Sequence, residues 1–339
     1  MSDRSNTRRG AGWAIRKVSL HYAVALSRAY EPAIRHRKNH QATFLAPPYP
    51  TAVSVTARAL WYIETHLRGD LSLDAVASAA GVSRFHVSRA FSVSMGLPLA
   101  SYARARRLTL AAHQLAEGAP DILSVALDAG YGSHEAFTRA FSQQFGLSPE
   151  QVRDRADTAG LALQEAVRLN PDRRLPLERP RVEQGRTLRL VGLADRHDGS
   201  ITRLPEQWSH FSPLVGHIDG QVGRVAYGVS YNHDESGAFD YLCGVEVTAF
   251  VGHPQDFARL TILPQTYAVF THPEHLSSIS HTVGAVLNHA LAEAGYLPAE
   301  GPFFERYGEA FDPRTGLGGI ELWFPVLPPD SGAATGKTT

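Results

Sequence analysis

The chain has 339 residues, more than one ordinary domain, with 43% hydrophobic and 19% charged residues, the balance of a folded rather than a disordered protein. Its single cysteine, Cys243, excludes an internal disulfide framework and fits a reducing, cytoplasmic compartment. The net charge of zero conceals nine Lys/Arg against two Asp/Glu over residues 1–50 and eight against seventeen over residues 182–327, so the first part can approach a polyanion and the last would be repelled by one.

Residues 1–50 read as a basic, flexible extension closed by Pro47-Pro48-Tyr49-Pro50, through which no helix continues. Its mildly apolar stretch near residues 18–26 is flanked by Arg16 and Lys17 and broken by His21, so a secretory signal is not expected. No run of 18 apolar residues occurs anywhere, and no membrane partner is expected.

Residues 51–158 are helical in pattern almost throughout, and they contain a repeat. Ser83-Arg-Phe-His-Val-Ser-Arg-Ala-Phe91 returns fifty positions later as Ser133-His-Glu-Ala-Phe-Thr-Arg-Ala-Phe141. Each copy follows a short helix and a glycine turn, at Gly81 and Gly130, and each opens on a serine placed to cap the second helix. Val87, Ala90 and Phe91 fall on one side of the first such helix, as Phe137, Ala140 and Phe141 do on the second. The opposite faces carry Arg84, Phe85, Ser88 and Arg89, then His134, Glu135, Thr138 and Arg139.

Two helices joined at a steep angle by a glycine turn form a helix-turn-helix, whose second helix fits the major groove. Arg can bridge guanine, Glu can accept from cytosine and Phe85 can touch a thymine methyl. Arg89 and Arg139 read equally well as phosphate contacts or internal ion-pair partners, and His86 as a packed side chain. Arg104, Arg106 and Arg107 are further candidates for phosphate contact.

The run Ser72-Leu-Asp-x-Val-Ala-x-x-Ala-Gly-Val-Ser, then Ala129-Gly-Tyr-Gly-Ser-His-Glu-Ala-Phe-Thr-Arg-Ala-Phe and Phe145-Gly-Leu-Ser-Pro, resembles the AraC/XylS family of bacterial transcription regulators. The resemblance covers about residues 51–157. It implies a seven-helix, monomeric DNA-binding domain whose recognition helices enter two successive major grooves of double-stranded DNA. A helix over residues 102–115 would set their spacing at roughly 34 Å, one turn of the duplex. The neutral charge of this region departs from many members, so tight non-specific binding is not implied.

Residues 159–181 read as a linker with a helical stretch at 161–169. Beyond it, strand patterns at 187–193, 223–231, 239–249, 258–263, 267–271, 303–307 and 319–326, with helices near 203–216 and 276–294, predict an α+β domain of two βαββ units over 182–327. Residues 328–339 read as a disordered tail.

Catalytic or metal chemistry finds no pattern in this half. His272, His275, His281 and His289 lack a His-Glu-x-x-His spacing and read as surface residues, and Cys243 as a packed thiol. No cofactor is expected. Alternation in a strand over 303–307 puts Phe303, Glu305 and Tyr307 on one face, a carboxylate between two aromatics. As the floor of a pocket, Glu305 would favour a cationic ligand through charge and cation–π contact; as an exposed residue, it would do nothing.

Leu263-Pro-x-x-Tyr-Ala-Val-Phe-x-His, Gly301-Pro-Phe-Phe-Glu-Arg-Tyr307 and Ile320-Glu-Leu-Trp-Phe-Pro325 are similar to the GyrI-like effector-binding domain, over about residues 182–327. That resemblance implies a groove for bulky apolar or cationic molecules, with Glu305 as the key residue and Tyr267, Tyr307 and Trp323 as its wall. The whole chain is therefore expected to be a ligand-responsive transcription regulator and not an enzyme. Its effector would act through contacts with the DNA-binding half or with RNA polymerase. The alternative is a GyrI-like hydrolase, or a sequestering protein, that carries a DNA-binding module.

Overall fold

The structure, a computed structural model, describes residues 53–167, 175–234 and 236–327. The expected basic extension and the expected tail lie outside the described residues.

The helical half consists of α1 (Val55–Thr65), α2 (Leu73–Ala80), α3 (Arg84–Met95), α4 (Leu99–Ala116), α5 (Ile122–Asp128), α6 (His134–Phe145) and α7 (Pro149–Arg155). Ser83 and Ser133 cap the two repeated helices, each hydroxyl accepting from the backbone N–H three residues on, at 3.2 Å. The preceding turns need a left-handed residue. Gly81 has φ 68° and Gly130 has φ 83°, and at Gly130 a Cβ would also meet the Arg107 guanidinium at 2.7 Å.

Helix α4 belongs to both helix-turn-helix cores. Leu99, Tyr102 and Ala103 pack with Val76, Val87 and Phe91, whereas Leu108, Ala112 and Leu115 pack with Val125, Phe137 and Phe141. At about 1.5 Å per residue its 18 residues form a stiff spacer of about 27 Å. Glu64 anchors it, taking two 2.8 Å bonds from the Arg106 guanidinium and one of 2.8 Å from the Tyr102 hydroxyl. Arg106 is thus buried in an ion pair and not free for phosphate. Arg107 donates to the carbonyls of Leu67 and Gly69, while Arg104 stays exposed.

The expected helix at 161–169 does not form over its described part, through Val167. Its backbone groups bond to α4 side chains instead: Gln164 N–H to Thr109, Gln164 carbonyl from Arg106 and Val167 N–H to the Tyr102 hydroxyl. Tertiary partners outcompeted the local i→i−4 bonds.

The second half is an eight-stranded antiparallel sheet in the order β1-β6-β8-β7-β3-β4-β2-β5. Its elements are β1 (Arg181–Gln184), β2 (Leu188–His197), α8 (Leu204–Phe211), β3 (Gln221–Tyr231), β4 (Phe239–Val247), β5 (Ala258–Ile262), β6 (Thr266–His272), α9 (Ile279–Ala285), α10 (Leu291–Glu293), β7 (Phe303–Tyr307) and β8 (Ile320–Pro325). A π-helical turn, Val286–Ala290, joins α9 to α10. The order strand–helix–strand–strand occurs twice, as β2-α8-β3-β4 and β6-α9/α10-β7-β8. Strand β1 begins inside the expected linker; four mostly polar residues at a sheet edge leave little apolar alternation to read.

Helices α8 and α9 cover one sheet face. Gln207 of α8 donates to the carbonyls of Leu193 and Tyr241, and Phe211 packs on Val191 and Cys243. Val283 and Leu287 pack on Phe270, Phe303 and Phe324. The same apolar cluster continues into Ile63, Val87 and Phe91 of the helical half, so the first helix-turn-helix and the sheet share one core. His272, expected at the surface, is buried: its ring bonds the Thr282 hydroxyl at 2.8 Å and the His275 carbonyl at 3.1 Å. Seating α9 on β6 puts it there. His275 and His281 are exposed.

Candidate DNA interface and effector groove

Strand alternation delivers Glu305 to the face beneath α8 and α9, where it is buried. One carboxylate oxygen, Oε2, accepts from the Tyr241 hydroxyl at 2.8 Å and from the Tyr307 hydroxyl at 2.7 Å. Trp208 Nε1 donates to the Tyr241 oxygen at 3.1 Å, locking that ring. Oε1 has no hydrogen-bond partner among the described residues. Burial raises the Glu305 pKa, and the two tyrosine hydroxyls and the charge of Arg89 pull it back. Burial likewise pushes both tyrosines well above their ordinary value, so they remain donors.

Above this carboxylate lies a cavity of about 90 Å³, walled by Ile201 and Leu204, by Ile279 and Val283, and by Phe239, Tyr241 and Phe303. Part of its wall comes from the helical half: Ser88, Arg89, Ser92 and Val93 of α3. Tyr307 stands with Glu305 as expected. Tyr267 and Trp323 do not. Cross-strand register pairs Trp323 with Phe304, and Tyr267 packs on both, so these rings lie on the opposite face of the sheet. There they line a second cleft of about 420 Å³ with Arg181, Arg186, Arg306, Glu183 and Glu321. The sequence groups Tyr241 with the aromatics around the carboxylates without marking it as the partner of Glu305, and it gives no sign of Trp208 as the donor that holds Tyr241. The one signal available was Gly228, which faces both β4 and β7 and leaves room for the Tyr241–Glu305 contact.

The two repeated helices meet different surroundings. On α6, Glu135 and Arg139 are exposed. His134 is half-exposed, 3.3 Å from the Glu150 carboxylate, and Thr138 is half-buried with a covered, unpaired hydroxyl. Of the four candidate residues on α3 only Arg84 is exposed. Phe85 packs edge-on against His233 at 4.6 Å, and Ser88 and Arg89 are buried against the sheet half. The Arg89 guanidinium lies 3.6 Å from the centroid of the Phe303 ring. Burial lowers its pKa to about 9, so it keeps its charge at neutral pH.

His86 also crosses between the halves. Its Nε2–H donates to the Leu287 carbonyl, and burial takes its pKa down to about 4, so the ring is neutral. Asn288 bonds the Thr56 N–H and the Ser94 hydroxyl, each at 2.9 Å. Cys243 is buried and its thiol pushed up, a packed side chain rather than a nucleophile. Among the described residues no three His, Cys, Asp or Glu side chains gather as a metal site, and no helix is long and apolar enough to cross a membrane.

Two helix-turn-helix units spaced by one shared helix, joined to a sheet with an acid-floored apolar cavity, define a DNA-binding regulator with a small-molecule domain. Residues 76–155 match the helix-turn-helix domain family and residues 179–327 the GyrI-like small molecule binding domain family. The chain thus carries an AraC-type helix-turn-helix domain followed by a C-terminal GyrI-like domain. It is similar to the transcriptional regulator Rob of Salmonella typhimurium, 28% identical over 80% of this chain and 96% of that protein. The regulatory protein SoxS of Escherichia coli K12 is 36% identical over 28% of this chain and 88% of its own length. Among solved structures, SAV2435 bound to tetraphenylphosphonium aligns with TM-score 0.36 and 16% identity over 44% of this chain and 94% of that one.

Proposed function

We propose that the GyrI-like domain senses a bulky, apolar monocation seated on Glu305, and that the chain answers as a cytoplasmic transcription regulator rather than as a catalyst. One observation carries this reading. A buried carboxylate has one oxygen held by two tyrosine donors and the other without a partner, beneath apolar and aromatic walls. Such a charge costs several kcal/mol to bury alone, and a desolvated cation with aromatic contacts offsets that cost.

The DNA-reading residues of this proposal are Arg84, Phe85, Ser88 and Arg89 on α3, and His134, Glu135, Thr138 and Arg139 on α6. Each helix is capped by serine and would present its outer face to one of two successive major grooves. Footprinting on genomic fragments should then protect one defined site spanning two grooves.

Calorimetric titration of the full chain with tetraphenylphosphonium tests the seat. Wild type should bind and Glu305→Gln should bind roughly tenfold or more weakly, as loss of a charge-assisted contact requires. The neutral triphenylphosphine oxide should be indifferent to the change. Equal cation affinity in both proteins would remove Glu305 from the site.

A further inference from the structure

Three observations on α3 do not follow from either half alone. First, this helix closes the groove over Glu305, and the cavity left beneath it is about 90 Å³. Sites for drug-sized ligands run to roughly 300–1,000 Å³, so a bulky effector has no room while α3 is docked. Second, Arg89 puts a charged, planar group into the same space. It is 8% exposed, lies over Phe303 and in the field of Glu305, and has no hydrogen-bond or ion-pair partner among the described residues. Third, Arg139, which occupies the matching place fifty residues later, is exposed. The burial of Arg89 is therefore imposed by docking and is not a property of the repeat.

We propose that Arg89 is an internal stand-in for the effector: docked α3 fills the cation seat with its own guanidinium, so that effector binding displaces the helix and frees the first reading head for DNA. This rests on the reading that Glu305 seats a cation, and it adds the ligand's character and the direction of control. The ligand is a single positive charge, delocalised or shielded enough to leave water, on an apolar body larger than an arginine side chain. Effector and DNA then both select the undocked form. Each one's apparent affinity scales with the fraction of chains in that form, and each raises the affinity for the other.

A reversible lock tests it on the full chain. A Cβ at Gly284 would stand 3.6 Å from Cγ1 of Val93, so positions 93 and 284 face each other across α3 and α9, and the doubly substituted Val93→Cys, Gly284→Cys protein can be oxidised to a disulfide that joins them. Cys243 is buried and does not compete. Oxidation should lower both tetraphenylphosphonium affinity and site-specific DNA affinity by roughly tenfold or more, and dithiothreitol should restore both. Reduction of the same sample serves as the folding control. In wild type the cation should tighten site-specific DNA binding.

Undiminished cation binding by the oxidised protein would overturn the proposal, as would a cation that weakens specific DNA binding, since the ligand would then cement α3 in place. Arg89→Gln separates this idea from the one beneath it. The variant should bind tetraphenylphosphonium roughly tenfold more tightly than wild type. No gain would overturn the stand-in role and leave the Glu305 seat intact. No cation binding by wild type or variant would sink the seat, and the stand-in with it.

Discussion

Glu305 can meet Tyr241 because Gly228, between them in the sheet, has no side chain. A Cβ there would lie 2.0 Å from the Tyr241 hydroxyl oxygen and 2.8 Å from Glu305 Oε2. Gly228→Ala should therefore destabilise the chain by about 2–3 kcal/mol and break the carboxylate's hydrogen bonds. Urea denaturation measures the first effect, and the weakened cation binding reports the second; an unchanged midpoint would contradict the packing. The histidines at the docked face give a pH dependence. Burial lowers His86 to about 4 and His233 to about 3, against an ordinary value of 6.5. Both are neutral when docked, so the open or unfolded chain takes up more protons between pH 6.5 and the depressed values. Their contribution is complete above pH 6.5 and is lost as pH falls through that window, by about 3 kcal/mol for His86 alone. Glu305 works the other way, because its raised pKa lets acid relieve its buried charge. Denaturation midpoints from pH 7 to 4.5 should fall less steeply in His86→Gln, and identical slopes would exclude the assignment.

Between elements, the informative comparison is α3 against α6. Arg139→Ala should cost about 1–3 kcal/mol of specific DNA binding if it reads a base, in a mobility-shift series across site variants. A loss equal over all sequences would make it a phosphate contact. Helix α4 should be sensitive in a different manner. Glu64→Ala leaves Arg106 buried without its carboxylate, and about 3 kcal/mol of stability should go with it in chemical denaturation. The repeat, its serine caps and its glycine turns were legible because each is a local device, set by neighbours a few residues away. Strand alternation, local too, put Phe303, Glu305 and Tyr307 on one face, but whether that face was exposed or a pocket floor depends on what packs over it, which the strand itself does not record. Tyr267 and Trp323 were misplaced because the face a residue takes relative to another strand depends on register, which no single strand records. The docking of α3 had no local signature at all: the same face that suits a DNA groove also suits an aromatic, acid-floored sheet.

At the scale of the molecule, the acidic sheet half and the first reading helix meet through one continuous core, which makes docking a state of real stability rather than a loose tether. Charge supports competition for that state, since −9 over residues 182–327 would hold a phosphate backbone off a helix lying against it. Regulation then needs only an effector with a preference for the undocked form. The most direct test places a thiol inside the contact. Ser88 is 6% exposed on α3, while Glu135 on α6 faces solvent. Ser88→Cys should react slowly with a thiol reagent in the free protein and roughly tenfold or more faster when tetraphenylphosphonium is bound, with Glu135→Cys fast in both conditions. A Ser88→Cys rate that the cation leaves unchanged, or slows, would contradict the account.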